Sequence, residues 1–248
     1  MPKKWKSKLM KTKNNELSPR QRNLLFATVK EYCEFGLTVS SKDLKEKYGF
    51  AISPATIRTE FATLRDLGFL YQPFTNASSQ PTEKAFKMFI NQILVGVSST
   101  VKQHLELKKE LNQMQKKQAT LDKEISRLLA LQTGSVGFAV NQSSENVSGL
   151  KNLLTGESLP EILDFLEKMD QHKQFLLDKK TENMELMTIF GADNAVLPLG
   201  KGYALVASKA IINNQETVFG ILAQPHIVGR KKTLQILNAV SQILNAKE

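Results

Sequence analysis

The stretch SPATIRTEFATLRDLG, residues 53–68, predicts one short helix with a marked start and a marked end. Ser53 suits the N-cap, because its side-chain oxygen can accept a hydrogen bond from a backbone N–H that has no partner within the helix. Pro54 suits the first helical position, where its fixed φ is already helical and its missing N–H costs nothing. Gly68 suits the left-handed conformation that often follows the last turn. Both boundaries of the helix are therefore predicted from local chemistry alone.

Apolar and polar side chains separate onto two faces of this helix. The positions expected to face the core recur at helical spacing: Ile57, Phe61, Leu64 and Leu67. The positions expected to face outward cluster at the N-terminal end: Ala55, Thr56, Arg58 and Thr59. Such a set suits a DNA major groove, where arginine pairs with guanine and threonine packs on the thymine methyl group. A short capped helix is more often an ordinary core helix, so its neighbours decide the interpretation.

Two further helices are predicted before this one and a β-hairpin after it. Ser18 and Gln21 form a capping box around Pro19, and Ser40 or Ser41 caps the second helix. The run 69–71 favours a strand, Pro73 breaks it, and Pro81 marks a returning strand. Three helices followed by strand, loop and strand are typical of a winged helix, in which the second and third helices form the helix-turn-helix and the loop 74–80 forms the wing.

This interpretation predicts double-stranded DNA as a partner of the first domain. The residues expected to contact DNA lie at the start of the second helix, at the start and end of the third, and in the wing: Ser40, Ser41, Lys42, Ser53, Ala55, Thr56, Arg58, Thr59, Arg65, Thr75 and Ser79. The side chains at these positions are polar or small. Polar side chains can form hydrogen bonds with base edges and phosphates, and small methyl-bearing side chains can pack on thymine methyl groups.

Positive charge is concentrated at the N-terminal end of the chain. The formal net charge is +10, and the residues through Ile90 contain 16 lysines and arginines against 8 acidic residues, whereas the remainder contains 18 against 16. Residues 1–15 include six lysines and no acid, which predicts a disordered basic arm that tracks phosphates or a minor groove. This charge distribution predicts an anionic partner for the N-terminal part of the chain, and it favours nucleic acid over a membrane surface.

The sequence lacks the patterns of enzymes, metal sites, cofactor sites and membrane spans. Its single cysteine, Cys33, excludes an internal disulfide and fits a cytoplasmic location. The three histidines are isolated from one another, and the segment 200–202 lacks the spacing of a phosphate-binding loop. No apolar run is long enough to span a bilayer, and none follows the basic N-terminus as in a signal peptide. The expectation is a cytoplasmic protein without catalytic residues, metal or cofactor.

Residues 96–132 are predicted to form a long linking helix. Apolar side chains recur at alternating steps of four and three, interrupted at Gln118, which is the spacing of a heptad seam. The six apolar positions of the seam are Leu107, Leu111, Met114, Leu121, Ile125 and Leu128. Two interpretations are open: the seam holds two copies together as a dimer, or it packs on the second domain of its own chain.

The second domain, residues 133–248, is predicted to be α+β. Strands are expected over 135–140, 186–190, 203–212 and 215–222, and Asn213-Asn214 suits the two-residue turn of a hairpin because asparagine tolerates positive φ. A helix is expected to open with the capping box at 158–161 and to continue through Leu176. The apolar side of a final helix is formed by Leu234, Leu237, Val240 and Leu244.

Several segments of this sequence resemble HrcA, the bacterial repressor of chaperone genes. The similar segments are Leu17–Gln21, Val39–Leu44, Ser53–Arg58, Leu67–Leu70, Pro81–Lys84, Gly149–Leu154, Phe190–Asn194 and Phe219–Leu222 followed by Pro225. The resemblance implies a winged helix-turn-helix domain and a GAF-like second domain. It also implies a dimer that represses heat-shock genes by occluding polymerase at an inverted-repeat operator, and a GroEL-type chaperonin that maintains the active repressor.

The sequence departs from that family pattern at three places. The family's dimerising insertion has little room between Leu154 and Phe190. The wing has Ser78-Ser79-Gln80 where the family usually has Gly-Arg-Ile, and Thr59 stands where asparagine is usual. Two other functions are compatible with the residues. The second domain could bind a small-molecule effector that releases DNA, or the heptad helix could serve a nucleic-acid-associated scaffold. The expected segments are 1–15 (arm), 16–95 (winged helix), 96–132 (linking helix) and 133–248 (GAF-like domain).

Overall fold

The computed structural model describes residues 17–36, 38, 40–74, 77–94, 100–115, 121–153, 159–179, 186–191, 197, 199 and 202–246. The chain divides into two compact units, residues 1–85 and 86–248, with the division inside a helix that the sequence analysis assigned wholly to the first domain. The predicted basic arm, residues 1–15, lies outside the described residues.

The N-terminal unit contains the predicted order of elements. Its helices are α1 (Pro19–Phe35), α2 (Ser41–Tyr48) and α3 (Pro54–Asp66), and its strands are β1 (Leu70–Tyr71) and β2 (Gln80–Pro81). The strands pair antiparallel, with Leu70 opposite Pro81. Apolar side chains from all three helices and β1 are buried, and the fully buried ones include Leu24, Leu25, Leu44, Ile57 and Leu64. Helix α4 (Glu83–Leu94) follows β2.

The C-terminal unit is α+β and is built around one antiparallel sheet. Its strands are β3 (Val136–Val140), β4 (Glu145–Ser148), β5 (Met187–Phe190), β6 (Ala204–Ile212) and β7 (Gln215–Ala223). Their order across the sheet is β4-β3-β7-β6-β5. The turn between β6 and β7 consists of Asn213 and Asn214, both at positive φ, which confirms the predicted hairpin. Strand β4 was not predicted, because it carries polar side chains and is only partly buried.

Helices cover both faces of this sheet. Side chains of β3, β6 and β7 that point to one face pack with α7 (Leu159–Glu167) and α8 (Met169–Asp178) around Phe138 and Phe165. Successive strand residues point to opposite faces. The other face accordingly receives α10 (Lys231–Asn245), as the hydrogen bond between Ser208 and Ser241 shows. It also receives α6 (Leu121–Thr133), whose backbone lies against Gly137 of β3. Helix α5 (Val101–Gln115), the short helix α9 (Pro225–Val228) and a 3-10 turn (Leu150–Leu153) complete the unit.

Two predicted helices differ from those in the structure. The helix expected over 158–176 is two helices, because α7 ends at Glu167 and Lys168 takes φ −98° and ψ 19°, outside the helical region. The linking helix is described as α5 and α6, and the intervening residues 116–120, including the predicted polar position Gln118, lie outside the described residues. Both α5 and α6 pack with α10 in the C-terminal unit.

Candidate nucleic-acid interface

Helix α3 has the N-terminal cap that its sequence predicts. The Ser53 hydroxyl accepts a hydrogen bond from the Thr56 backbone N–H at 3.0 Å and lies 2.9 Å from the Thr56 hydroxyl. Pro54 begins the helix. Both predicted DNA contacts, Ser53 and Thr56, therefore engage each other, and their clearest role is to fix the start of α3.

One face of α3 is buried and the opposite face is open to solvent. Ile57 and Leu64 are fully buried and Phe61 nearly so, which confirms three of the four predicted core positions, while Leu67 is half-buried. Ala55, Arg58 and Thr59 are exposed. The Thr59 hydroxyl donates to the Ala55 carbonyl within the helix at 3.3 Å.

Arg58 is the cation that the exposed face of α3 presents. It is exposed and forms no hydrogen bond or ion pair with any part of the chain that the structure describes. A guanidinium carries five N–H donors in a planar fork that matches the paired acceptors of guanine and of phosphate. Within the described ranges, all of the Arg58 donors are therefore without a partner.

The start of α2 presents a second set of predicted contacts. Ser40 is the N-cap: its hydroxyl accepts from the Asp43 backbone N–H at 3.2 Å and donates to the Asp43 carboxylate at 2.7 Å. Ser41, the other cap considered, is instead the first residue of the helix and is half-buried. Lys42 is exposed, and its ammonium group can reach a phosphate as a point charge.

A buried carboxylate joins α1 to α2. Glu31 is 4% exposed and accepts hydrogen bonds from Lys47 Nζ and the Tyr48 hydroxyl, both at 2.7 Å. Burial by itself raises the pKa of Glu31, but the hydrogen bonds from Lys47 and Tyr48 outweigh it and hold the pKa below its ordinary value. Burial and the bond to Glu31 raise the pKa of Tyr48. No local sequence pattern indicates this cluster, since Glu31 lies 16 and 17 residues from its two partners in the chain.

A second buried carboxylate joins α3 to the start of α1. Glu60 is 7% exposed; it lies 2.5 Å from Arg20 Nη2 and accepts a hydrogen bond from Gln21 Nε2 at 3.0 Å. Gln21 also completes the predicted capping box with Ser18. The Glu60 carboxylate of α3 is thus paired with Arg20 and Gln21 within the protein and is not part of the exposed face of α3.

The base of the wing is tied to the end of α3. Arg65 Nη1 donates a hydrogen bond to the Ser79 hydroxyl at 2.8 Å. Ser79 is 5% exposed and Arg65 is half-buried. Both were predicted to contact DNA. Packing between α3 and the hairpin buries the Ser79 hydroxyl, and the Arg65 guanidinium donates to it. A DNA contact by either residue stays a prediction. Thr75, the other predicted wing contact, lies outside the described residues.

The motif that follows the wing also binds the end of α3. The Thr82 hydroxyl donates to the Gly68 carbonyl at 2.8 Å, and Lys84 Nζ donates to the Leu67 carbonyl at 2.8 Å. Lys84 Nζ also lies 4.2 Å from the centre of the Phe69 ring. These contacts satisfy carbonyls that a helix end leaves open and stabilise the turn between α3 and β1.

The predicted heptad seam is largely buried within a single chain. Leu107, Leu111, Leu121, Ile125 and Leu128 are each at most 5% exposed, and Met114 is half-buried. These side chains lie on α5 and α6, which pack with α10 of the same unit. The structure therefore supports the second of the two interpretations, in which the seam packs on its own domain.

The described residues contain neither a metal-binding cluster nor a membrane-spanning helix. No group of three or more histidine, cysteine and acidic side chains in the described ranges could hold a metal ion. No helix in those ranges is long and apolar enough to cross a membrane. The pKa of His172 and that of His226 are both lowered, mainly because the two side chains are partly buried.

Comparison with known proteins finds similarity to proteins named as transcription repressors. The heat-inducible transcription repressor HrcA of Clostridioides difficile (strain 630) is 32% identical over 138 residues, which cover 56% of this chain and 41% of the relative. HrcA of Gloeobacter violaceus (strain ATCC 29082 / PCC 7421) is 30% identical over 181 residues, which cover 70% of this chain and 50% of the relative. The chain is thus similar to HrcA repressors over as much as 70% of its own length. HrcA of Synechococcus sp. (strain JA-2-3B'a(2-13)) is 42% identical over 84 residues, or 34% of this chain and 22% of the relative.

The matched segments span half or less of the length of these HrcA relatives. No protein-family model matches the chain. A crystal structure described as that of a hypothetical protein aligns with 92% of this chain and 97% of its own, with a TM-score of 0.64 and 17% identity. At that identity the likeness concerns the fold alone.

Proposed function

We propose that this chain is a DNA-binding transcriptional repressor of heat-shock genes. In this proposal the N-terminal unit is a winged helix-turn-helix, and α3 is the recognition helix that enters the major groove. The observation that carries the proposal is Arg58, exposed on the outer face of α3 with every guanidinium donor unpaired among the described residues. The names of the HrcA relatives support the same function.

The structure of the N-terminal unit is consistent with rigid presentation of α3. The Glu60 carboxylate fixes α3 to α1, and the Arg65–Ser79 hydrogen bond fixes its other end to the hairpin. A recognition helix held at both ends loses little conformational entropy on binding, so more of its contact energy contributes to affinity. The bases are then read by residues of its first turns, chiefly Arg58, with Ala55 and Thr59 as smaller contacts.

The proposed repressor acts as a dimer on an inverted repeat. One recognition helix covers too few base pairs to select one promoter, whereas two copies related by a twofold axis read two half-sites. A dimer bound near the promoter occludes polymerase. Because the heptad seam is buried within one chain, we assign the dimer contact to exposed apolar side chains of the C-terminal, GAF-like unit. Leu131 is 70% exposed and Leu150 is 47% exposed.

Leu131 and Leu150 follow two residues that lie close together. A β-carbon added at Gly149 would lie 2.7 Å from the Ala130 Cβ, so the end of α6 and the start of the 3-10 turn are in contact. The next residue of each segment is one of the two exposed leucines. Exposed leucines on adjoining segments favour a contact with an apolar surface, and we propose that this surface belongs to a second copy.

The resemblance to HrcA adds a GroEL-type chaperonin to the proposal. In that scheme the chaperonin maintains the repressor in its active form, and heat-denatured proteins compete for it. Purified protein should then bind its operator without any metabolite, and added chaperonin should raise the fraction that binds. If chaperonin leaves the active fraction unchanged over a range of temperatures, this part of the proposal fails while the DNA-binding part stands.

Selection of promoter fragments tests the proposed function directly. Genomic fragments from the host are incubated with the full chain, and the retained fragments are sequenced. We expect enrichment of an inverted repeat upstream of chaperone genes, with two half-sites separated by a whole number of helical turns. Retention of fragments without any shared sequence would contradict a sequence-specific repressor and would favour the nucleic-acid-associated scaffold.

A further inference from the structure

The sheet of the C-terminal unit has two edge strands, β4 and β5. The chain around β5 includes the ranges 180–185 and 192–196, which lie outside the described residues. Strand β4, in contrast, lies inside the continuous described range 121–153. One side of β4 pairs with β3, and its other side is the edge of the sheet. An edge strand presents backbone N–H and C=O groups that a further strand can bind.

The hydrogen bonds with β3 determine which backbone groups of β4 point away from the sheet. The Asn141 N–H donates to the Ser144 carbonyl at 2.9 Å, so these two residues form a hydrogen-bonded pair. Bonded and non-bonded pairs alternate along an antiparallel ladder, so Asn146 bonds to β3 whereas Glu145 and Val147 do not. The backbone groups of Glu145 and Val147 therefore point to the edge, and they have no backbone partner among the described residues.

The side chains of β4 do not oppose the approach of another strand. The strand consists of Glu145, Asn146, Val147 and Ser148, and it has neither the lysine nor the proline that often protects a sheet edge. Its one charged side chain, Glu145, is paired with Lys173 Nζ at 2.5 Å. Asn146, Val147 and Ser148 are half-buried, so solvent still reaches this edge.

The positions of the unpaired backbone groups fit a second copy of the same strand. If two β4 strands run antiparallel about a twofold axis at Asn146, Glu145 of each copy faces Val147 of the other. Both of these residues have outward N–H and C=O groups, so each facing pair can exchange two hydrogen bonds. A twofold arrangement of this kind is self-complementary, which is the usual geometry of a homodimer contact.

The exposed leucines assigned to the dimer contact adjoin this edge. Leu150 lies two residues after the end of β4, and Leu131 follows Ala130, which lies against Gly149. Burial of apolar surface is the main driving force of association, whereas backbone hydrogen bonds mainly fix direction and register. The edge and the leucines thus form one continuous surface with both properties.

We propose that two copies of this chain pair along β4, antiparallel about a twofold axis at Asn146, so that their two sheets join. This inference rests on the dimer of the proposed function and gives that dimer a specific register. It requires no contact between the heptad seams, which are buried within each chain.

Disulfide cross-linking of the full chain tests the register. Facing residues of a non-hydrogen-bonded antiparallel pair have Cα atoms about 4.5 Å apart, which suits a disulfide. Asn146→Cys should therefore cross-link to its own copy at least about tenfold faster than Glu145→Cys, whose side chain points to the other face of the sheet. Leu105→Cys, at an exposed position of α5, measures cross-linking by random collision. The natural cysteine, Cys33, is buried and contributes little background.

Amide hydrogen exchange of the unaltered protein tests the same pairing without a substitution. The Glu145 and Val147 amides should exchange slowly at concentrations at which ultracentrifugation shows a dimer, and rapidly after dilution to the monomer. The Asn146 amide bonds to β3 within one chain and should be protected in both states, so it is the internal control.

Three results would overturn the inference. Asn146→Cys could cross-link no faster than Glu145→Cys or Leu105→Cys, or the Glu145 and Val147 amides could exchange rapidly in the dimer. In either case the dimer of the proposed function stands and uses another surface. A chain that stays monomeric at every concentration would overturn both the pairing and that dimer. The selection of promoter fragments measures DNA binding separately, so its failure is not confused with any of these results.

Discussion

Arg65 and Ser79, fourteen residues apart in the chain, form a hydrogen bond of 2.8 Å that ties the last turn of α3 to the residue before β2. Ser79 is buried, so its hydroxyl is accessible to Arg65 and not to solvent. Arg65 and Ser79, which the sequence predicts as DNA contacts, thus hold the end of α3 and the hairpin together.

Ser79→Ala tests this role by removing the acceptor while leaving the wing otherwise unchanged. We expect the free energy of unfolding of the full chain to fall by about 1 kcal/mol, since half-buried Arg65 can recover part of the loss by contacting water. The salt dependence of DNA binding should not change, because no phosphate contact is lost. Urea denaturation and binding titrations over a range of salt concentrations measure both. If Ser79→Ala lowers operator affinity and leaves the free energy of unfolding unchanged, Ser79 contacts DNA and does not stabilise the fold.

Arg58→Ala should weaken operator binding by about 1–3 kcal/mol if the guanidinium reads a base. Binding to random DNA of the same length should change much less. Arg127→Ala is the control, because Arg127 is an exposed arginine on α6 of the other unit. Fluorescence anisotropy with both DNA molecules compares the variants. An equal loss on operator and random DNA would identify Arg58 as a phosphate contact instead.

Glu31 predicts a dependence of stability on acid pH. Its pKa in the folded protein lies below the ordinary value of 4.5, so folding is stabilised by ionised Glu31 at pH values above 4.5. That contribution is lost as the pH falls from 4.5 through the lower, folded pKa. Glu31→Gln should therefore flatten the decline in unfolding free energy below pH 4.5, measured by urea denaturation at successive pH values. If the unfolding free energies of the unaltered protein and of Glu31→Gln fall in parallel below pH 4.5, Glu31 is not the cause of the decline.

Leu121→Asp combined with Ile125→Asp should unfold the C-terminal unit and not merely separate two copies. Leu121 is 4% exposed and Ile125 is fully buried within one chain, and an unpaired charge at such a site costs several kcal/mol. Leu131→Asp should instead leave the chain folded and dissociate the proposed dimer, because Leu131 is exposed. Circular dichroism and analytical ultracentrifugation distinguish the two results.

Leu105→Asp provides the control for Leu131→Asp, as it places the same charge at an exposed leucine of α5. A folded dimer of the Leu121→Asp, Ile125→Asp protein would show that the seam tolerates charge and would contradict the packing described here. A dimeric Leu131→Asp protein would move the interface to another surface of the chain.

Gly137→Ala should destabilise the C-terminal unit by about 1–3 kcal/mol or more. The added β-carbon would lie 2.0 Å from the Ser126 carbonyl oxygen and 2.8 Å from the Ala130 nitrogen, both backbone atoms of α6. Helix α6 would have to move away from β3. Gly36→Ala is a useful comparison, since its β-carbon would meet no atom and only its φ of 68° opposes alanine, at a cost of about 1 kcal/mol. Differential scanning calorimetry of both variants tests whether Gly137→Ala destabilises the protein more than Gly36→Ala does.

The sequence by itself determined the features that arise from neighbouring residues. Three such features are the cap at Ser53, the capping box of Ser18 and Gln21, and the Asn213-Asn214 turn. Each involves residues within two to four positions of one another, so the local residue types specify it independently of the rest of the fold. The buried stripe of α3 follows from helical periodicity in the same way. These local rules were enough to predict the order of elements in the N-terminal unit and the main strands of the second.

Only the tertiary structure decided which surface covers each face and which polar groups are already bonded. Periodicity shows that the α5 and α6 leucines lie on one face, but a second copy and α10 of the same chain cover such a face equally well. Glu60 meets Gln21 across 39 residues and Arg65 meets Ser79 across 14, and no local pattern records either pairing. Arg58 and Arg65 are both arginines of α3, seven residues apart. Arg65 donates a hydrogen bond to buried Ser79, whereas Arg58 is exposed to solvent.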